Sequence, residues 1–212
     1  MVESTIYIFR RLHLEEKIVY FEEPGTGNTE ETLRLSTERA KARGIKIIVL
    51  ASTRGDTARQ AAGLWADSGI KMVVVPHQYG FMSGQHFPPE LIQELEKQGH
   101  SVHFGTMLFH TDNLYGMDTP RIMANLLRTF CQGMKVCVEI IFMATDAGYL
   151  EPGEEVIAVT GTGRGADTAV VAVAAPSTRL PELHITEIIC KPLQTKQGPP
   201  PKMPPPLPEE RD

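Results

Sequence analysis

The chain has 212 residues, of which 42% are apolar and 22% are charged, and its formal net charge is -5. This negative balance argues against a nucleic-acid binder that relies on a broad basic surface. No apolar run approaches the roughly 20 residues of a membrane-spanning helix. The basic pair Arg10-Arg11 is followed by the mixed stretch Leu12–Glu16, reading LHLEE, rather than by the apolar core of a signal peptide. We therefore expect a cytoplasmic protein with no membrane or nucleic-acid partner.

Strands and helices alternate through the first half of the chain. Strands are predicted over Lys17–Phe21, Lys46–Leu50, Lys71–Val75 and Ser101–Phe104. Helices are predicted over Thr29–Arg43, Thr57–Asp67 and Pro88–Gln98. This βαβαβαβ order predicts a parallel sheet with right-handed crossovers.

The second half of the chain has a different order of elements. A loop is predicted over Gly105–Pro120, and helices are predicted over Pro120–Gln132 and Lys135–Ala147. Strands are predicted over Glu155–Thr160, Ala169–Ala174 and Ile185–Lys191, and we expect the last of them at a sheet edge. Together the elements predict one α/β domain over residues 1–195, a three-layer sandwich with a mostly parallel sheet.

The last 17 residues, 196–212, differ in composition, because seven of them are proline. Such a segment cannot build a core, so we expect an extended and mobile tail. A polyproline ligand for a partner domain is the alternative to a solvated terminus.

Two strand-to-helix turns near the start combine glycine, hydroxyl side chains and a new helix N-terminus. The first is Gly25–Glu30, reading GTGNTE, and the second is Ser52–Ala58, reading STRGDTA. The first N–H groups of a helix lack internal partners and carry partial positive charge, which is typical of phosphate sites. At the ends of adjacent strands, the two turns predict a pocket for a phosphorylated ligand. The alternative for the first turn is that Asn28 or Thr29 caps the helix.

A third glycine-rich segment, Gly161–Ala166, formally fits the GxGxxA pattern of dinucleotide-binding folds. A dinucleotide turn must open a helix, whereas the following Ala169–Val173 is rich in β-branched residues and is predicted as a strand. We interpret the segment as a hairpin loop whose amides and Arg164 guanidinium clamp an anion, or as an ordinary flexible hairpin.

Other polar and aromatic residues are weaker candidates for a site. His77, Tyr79 and Phe81 follow the third strand, where a ring could stack on a flavin and the histidine could bond its polar edge, or where all three pack over the core. Glu139 and Asp146 lie seven residues apart in an apolar helix. We interpret these carboxylates as groups that orient a ligand, as a general base, or as caps of neighbouring helices.

Metal and thiol chemistry are not predicted. Cys131, Cys137 and Cys190 include no CxxC pair, and we expect buried, unreactive thiols. His110 with Asp112 lacks a third ligand at suitable spacing.

Several stretches resemble the C-terminal domain of pyruvate kinase. Leu50–Ala58 and the helix after it resemble a strand, loop and helix that hold a phosphate of an allosteric sugar bisphosphate there, and Glu154–Ala175 resembles the final strand pair. The stretches NTEETLRL, GDTA, PPE, KVCVEI and RGADTAVV are similar to those of stand-alone archaeal and bacterial proteins with this fold. The resemblance spans roughly residues 17–191 and implies a pyruvate kinase C-terminal-domain-like fold, with which flavin mononucleotide (FMN) has been associated.

The resemblance does not imply pyruvate kinase catalysis, because it does not extend to the catalytic barrel. Asp56 also stands where the kinase usually has a basic residue or asparagine, so the sugar bisphosphate does not carry over directly, and Arg54 supplies positive charge instead. The five-residue stretch Thr26–Glu30 is similar to the phosphate loop of flavodoxins, which wraps the phosphate of FMN.

The expected function is binding of a phosphorylated small molecule, with FMN as the expected cofactor and flavin redox chemistry as the first reaction to test. The expected ligand-binding residues are Asn28, Ser52, Thr53, Arg54, Gly55, Asp56, Thr57, His77, Tyr79, Phe81, Gly161, Thr162, Gly163, Arg164 and Gly165. The alternatives are a non-catalytic regulatory module for a sugar phosphate or nucleotide, and a hydrolase or isomerase that uses Glu139 or His77. A homo-oligomer is compatible with the sequence.

Overall fold

The computed structural model describes residues 15–195. The predicted proline-rich tail lies outside the described residues, as do residues 1–14.

A seven-stranded sheet forms the centre of the fold. Its strands are Val19–Phe21 (β1), Ile47–Ala51 (β2), Lys71–Val75 (β3), Ser101–Val102 (β4), Glu155–Thr160 (β5), Thr168–Val173 (β6) and His184–Pro192 (β7). The strand order is β1-β7-β6-β5-β2-β3-β4. Only β6 runs antiparallel to the other strands, so the sheet is mixed but mostly parallel, as predicted.

Helices cover both faces of this sheet. They are Thr29–Arg43 (α1), Asp56–Trp65 (α2), Pro89–Lys97 (α3), Asp112–Tyr115 (α4), Thr119–Arg128 (α5) and Gln132–Asp146 (α6). On one face, α1, α2 and α3 pack on alternate sheet residues such as Leu50 and Val74. On the other face, α6 packs on residues such as Val49 and Val73, and α5 lies against α6. The three-layer α/β sandwich predicted from the sequence is confirmed.

The pattern of buried residues explains why these segments form strands and helices. Ile48, Val49 and Leu50 are each fully buried, because a central strand is covered on both faces. Helix α1 buries one face and ends at Gly44, whose φ of 70° lies in the left-handed region. Helix α6 is buried along nearly its whole length, which matches its apolar sequence.

Three expectations about the sheet and its connections are wrong. Strand β7 is not at an edge, because β1 pairs with its far end and covers it. Consequently β1 and β2 are not adjacent, and the turns that follow them do not lie at the ends of neighbouring strands. The segment 105–120 is not a plain loop, since it contains a 3₁₀ turn over Leu108–His110 and the helix α4. Sheet pairing depends on contacts between distant segments, which local patterns do not encode.

None of the helices within residues 15–195 is both long and apolar enough to cross a membrane.

The topology places a crevice at the carboxyl ends of the central strands. Strands β2, β3 and β5 run parallel, so they all end on this side of the sheet. After β2 the chain turns to α2 on one face of the sheet, whereas after β5 it turns back through a hairpin loop into β6. In open α/β sheets, ligands bind where neighbouring connections diverge in this way.

Candidate ligand-binding site

A cavity of about 390 Å³ lies in this crevice. Its walls come from the segments after β2, β3 and β5, from the loop before α4, and from one face of α6. Of the expected ligand-binding residues, the cavity is lined by Ser52, Thr53, Arg54, Asp56, Thr57, His77, Phe81, Gly161, Gly163, Arg164 and Gly165. The structure therefore brings together three loops that are far apart in the sequence.

The other four expected residues do not line the cavity. The Asn28 amide donates to the Glu23 carbonyl at 2.8 Å, and the Tyr79 ring packs on Phe104 with centroids 5.0 Å apart. Gly55 faces α3, where an added Cβ would lie 2.4 Å from Leu91. Thr162 is buried, and its backbone N–H donates to Asp167 at 3.0 Å.

The N-terminus of α2 opens toward the cavity. The residue before the helix, Gly55, has no side chain to cap it. The Ser52 hydroxyl accepts the N–H of Ala58 at 3.3 Å, which leaves the N–H groups of Asp56 and Thr57 without a protein partner in the described part of the chain. Free N–H groups and the positive end of the helix dipole favour an anion here.

Two arginines stand at the mouth of the same cavity. Arg54 precedes α2 and Arg164 lies in the hairpin loop, and both side chains are exposed. Asp56 is exposed as well, so its carboxylate has access to water. The balance of charge around the helix N-terminus is therefore positive.

The first turn, Gly25–Glu30, is packed against the hairpin loop instead of the cavity. Thr29 donates from its hydroxyl to the Thr26 carbonyl at 2.8 Å and accepts the N–H of Ala166 at 3.0 Å. An added Cβ on Gly165 would lie 2.4 Å from the Thr29 hydroxyl. The Thr29 hydroxyl is thus used within the protein.

Asp167 holds the first turn and the hairpin together. Its side chain is fully buried. One carboxylate oxygen accepts the N–H groups of Gly25 and Thr162, each at 3.0 Å, and the other accepts the Thr168 hydroxyl at 2.8 Å. A buried carboxylate with three donors is well compensated, which gives Asp167 a structural role.

A cluster of three titratable side chains forms the far wall of the cavity. Lys135 and Glu139 on α6 form an ion pair, with side chains only 1% and 2% exposed. The Nδ1 atom of His110 lies 3.4 Å from Glu139 Oε1 and 3.5 Å from Lys135 Nζ. The Phe109 N–H also donates to Glu139 Oε1, at 2.9 Å.

Burial and pairing compete in setting the pKa values of this cluster. Burial raises the pKa of Glu139, but hydrogen bonds from His110, Lys135 and the Phe109 N–H outweigh it and hold the pKa below its usual range. Burial lowers the pKa of Lys135, and the neighbouring Glu139 carboxylate opposes that shift. The ionised pair is favoured by its own contacts and disfavoured by its surroundings.

His77, Phe81 and His110 pack as a row of rings beside the cavity. Phe81 makes edge contacts with both histidines, each with ring centroids 4.9 Å apart. Burial, with a smaller contribution from His110, lowers the pKa of His77. The Nδ1 atom of His77 is buried without a hydrogen-bond partner in the described residues.

The remaining candidates lie elsewhere. Asp146, at the far end of α6, is exposed and accepts the Ser177 N–H at 2.8 Å, so it serves that turn and not the cavity. The three cysteines are buried and unpaired. Burial raises the pKa of Cys137 and raises that of Cys190 to about 12, which disfavours reactive thiolates there.

The family model "Pyruvate kinase, alpha/beta domain" matches residues 30–172, about two thirds of the chain. The chain belongs to the pyruvate kinase alpha/beta domain family. The match includes the α2 turn, α6 and the hairpin loop, so the resemblance drawn from the sequence is confirmed.

Solved structures similar to the chain include two of pyruvate kinase from Cryptosporidium parvum. One is 16% identical, covers 69% of this chain and 23% of its own, and gives a TM-score of 0.40. The other, in complex with ADP, is 16% identical, covers 73% of this chain and 24% of its own, and gives a TM-score of 0.38. The chain thus spans about a quarter of the length of these pyruvate kinases.

Two residues of this family member were not among the sequence-based candidates for the site. Lys135 stands four residues before Glu139, a spacing that pairs side chains along a helix, and that spacing was the available signal. Asp167 stands among small residues before a buried strand, where a carboxylate needs partners.

Proposed function

We propose that the protein binds a phosphorylated small molecule in the crevice cavity, with the phosphate on the N-terminus of α2. The observation that carries this proposal is the start of α2, where the N–H groups of Asp56 and Thr57 have no protein partner within residues 15–195 and face the same cavity as Arg54 and Arg164. Helix N–H groups and arginines are the usual donors to phosphate in proteins. A volume of about 390 Å³ is within the range of cavities that hold small metabolites.

FMN is the first candidate ligand, and the lining residues fit its two ends differently. Its phosphate matches the hydroxyls of Thr53 and Thr57 and the N–H groups of α2. Phe81, Met82 and Met107 offer apolar contacts for the ring system, whereas Tyr79 packs outside the lining. FMN, when bound, would supply electron-transfer chemistry.

A sugar phosphate is the second candidate ligand, and the far wall of the cavity supports it. Lys135, Glu139 and His110 are polar partners for hydroxyl or carbonyl groups, which a sugar phosphate carries along its length. A regulatory module with the same ligand is the corresponding non-catalytic function. It is supported by the position of the α2 turn, the segment for which the family resemblance implies an allosteric phosphate.

Thermal unfolding with added compounds tests the proposal. Inorganic phosphate, FMN and fructose 6-phosphate would be compared with riboflavin, which lacks a phosphate. A ligand at 100 times its Kd stabilises by about 2.7 kcal/mol, which raises the Tm of a domain of this size by roughly 5–10 °C. We expect such an increase with at least one phosphorylated compound and none with riboflavin.

Variants of residues that line the cavity test whether the increase in Tm comes from binding at this site. We expect Thr57→Val and Arg164→Ala to reduce the ligand-induced increase in Tm, because each removes a donor at the cavity. Thr106→Val is the matched control, since Thr106 is exposed and outside the cavity lining. An unchanged Tm with every phosphorylated compound would contradict the proposal. Visible absorbance of the purified protein, bleached by NAD(P)H, would distinguish bound FMN from a colourless sugar phosphate.

A further inference from the structure

The far wall of the cavity contains a histidine held by two charged partners. His110 is the most accessible member of the cluster, with 29% of its side chain exposed, against 2% for Glu139. The Glu139 carboxylate is fixed from three directions, by Lys135, by His110 and by the Phe109 N–H. Burying such a pair is costly unless its geometry is well satisfied, and these three contacts satisfy the Glu139 carboxylate.

The surroundings of His110 satisfy either protonation state of its Nδ1 atom. Glu139 Oε1, at 3.4 Å, accepts a proton carried on Nδ1, and Lys135 Nζ, at 3.5 Å, donates to Nδ1 when it is bare. The Nε2 atom has no hydrogen-bond partner within residues 15–195. Nε2 can therefore accept or donate a proton without any movement of the ring.

Other charges near the ring come from different elements. His77 lies across Phe81 from His110, on the segment after β3, and its charge interacts with that of His110. The positive charge of Arg128 on α5 contributes to the lowering of the Lys135 pKa. Lys135 is the positive group directly beside His110 and Glu139.

We propose that His110 is the acid–base residue of this cavity and acts on a phosphorylated carbonyl compound, with Glu139 as a positioning residue. The inference rests on the proposed phosphate site, which would hold the other end of the same molecule. A base beside a positive charge is what proton removal next to a carbonyl requires, because negative charge develops on the carbonyl oxygen.

The proton transfer balances without any further reactant. The Nε2 lone pair takes a proton from the carbon next to the carbonyl, and the carbon–hydrogen electron pair becomes a carbon–carbon double bond. The carbonyl oxygen takes the negative charge, on the side of the cavity that Lys135 lines. Return of the proton to the same or the neighbouring carbon regenerates the carbonyl compound and neutral His110. Glu139 stabilises the imidazolium through Nδ1 in the meantime.

Hydrogen exchange in D₂O tests this inference. Dihydroxyacetone phosphate and fructose 6-phosphate would be incubated with the protein, and loss of their carbon-bound hydrogens next to the carbonyl would be followed by ¹H NMR. We expect exchange at least about 100-fold faster than in buffer alone, which is the usual contribution of a positioned acid–base group. We expect His110→Gln to return the rate to that of buffer.

Matched variants separate chemistry from folding and from contaminating enzymes. His103→Gln makes the same change in a half-buried histidine outside the cavity lining and should keep the wild-type rate. Glu139→Gln should lower the rate at saturating ligand more than it changes the half-saturating concentration, which a merely structural role would not do. If Glu139→Gln does not fold, the comparison of His110→Gln with His103→Gln decides.

Exchange at the buffer rate with both compounds, or equal exchange in His110→Gln and wild type, would overturn the inference. The Tm with inorganic phosphate, measured on the same samples, distinguishes this failure from failure of the phosphate site. A protein that phosphate stabilises but that exchanges no hydrogen keeps its proposed function and loses the acid–base role.

Discussion

The two glycine- and threonine-rich turns have similar sequences and different environments. In the turn Gly25–Glu30, the Gly25 N–H is bonded to Asp167 and the Thr29 hydroxyl is bonded to Thr26 and Ala166. In the turn Ser52–Ala58, the N–H groups of Asp56 and Thr57 have no protein partner within the described chain, and they start a helix that faces a cavity.

The comparison shows that composition alone does not identify a phosphate site. Both turns contain glycine and hydroxyl side chains, but in the first turn the Gly25 N–H is bonded to Asp167 of the hairpin and the Thr29 hydroxyl donates within the turn. What distinguishes a binding turn is that its donors are left over after the protein has folded.

The largest expected effect comes from unbalancing the charges in the wall of the cavity that the second turn faces. Lys135→Met leaves Glu139 buried without its ammonium partner, so we expect a loss of about 3–5 kcal/mol in the free energy of unfolding. The double variant Lys135→Met/Glu139→Gln should recover part of the loss, because it removes both charges. Urea unfolding measures both, and a single variant as stable as wild type would contradict the description of this wall.

The next effect concerns the first turn. Asp167→Ala leaves the N–H groups of Gly25 and Thr162 and the Thr168 hydroxyl without this acceptor, in partly or fully buried positions, and we expect a loss of about 3 kcal/mol. Asp146→Ala is the control, because its single hydrogen bond is exposed, and should cost less than about 1 kcal/mol. Equal losses in urea unfolding would show that Asp167 does not hold the turn.

A smaller effect is expected where the hairpin meets the first turn. Gly165→Ala places a Cβ 2.4 Å from the Thr29 hydroxyl and 2.7 Å from Thr26 Cα, at a φ of 73°. We expect a loss of about 3 kcal/mol at most from crowding and strain together. Gly44→Ala, at a similar φ of 70° with nothing within 4 Å, should lose only about 1 kcal/mol. A Gly165→Ala loss no larger than that of Gly44→Ala would mean that the two segments are not in contact.

The smallest expected effect is a difference in pH dependence. The pKa of Glu139 is lower in the folded protein than its ordinary value of 4.5, so the folded state binds fewer protons than the unfolded state just below that pH. The stabilisation by this carboxylate is therefore present above pH 4.5 and is lost as the pH falls through its folded pKa. The stability difference between wild type and Glu139→Gln should shrink in acid, and chemical unfolding at pH 7, 5 and 3.5 measures it. A constant difference would show that the carboxylate does not titrate as described.

Local patterns predicted much of the fold. The bounds of α1, β3 and β5 match their sequence-based predictions residue for residue, because apolar runs and the glycine after α1 mark them clearly. The position of β1 beside β7 could not be predicted in this way, since a strand of three residues carries little pairing information.

Some residues of the candidate site could be predicted from the sequence and others could not, again because some contacts join distant segments. The α2 turn and the hairpin loop have recognisable sequences, and both reach the cavity. His110 enters the cluster only because a 3₁₀ turn carries it to Glu139, a contact between residues 29 positions apart. Tyr79 lies between His77 and Phe81, which line the cavity, but its ring packs on Phe104. The Asn28 amide donates to the Glu23 carbonyl, in a turn that packs on the hairpin loop.

Backbone amide shifts measured during a titration with inorganic phosphate test the central claim most directly. The comparison of the two turns predicts that the ¹⁵N–¹H signals of Asp56 and Thr57, together with those around Arg164, shift in a saturable manner, while those of Thr26–Glu30 stay in place. Saturable shifts centred on Thr26–Glu30, with Asp56 and Thr57 unmoved, would contradict it.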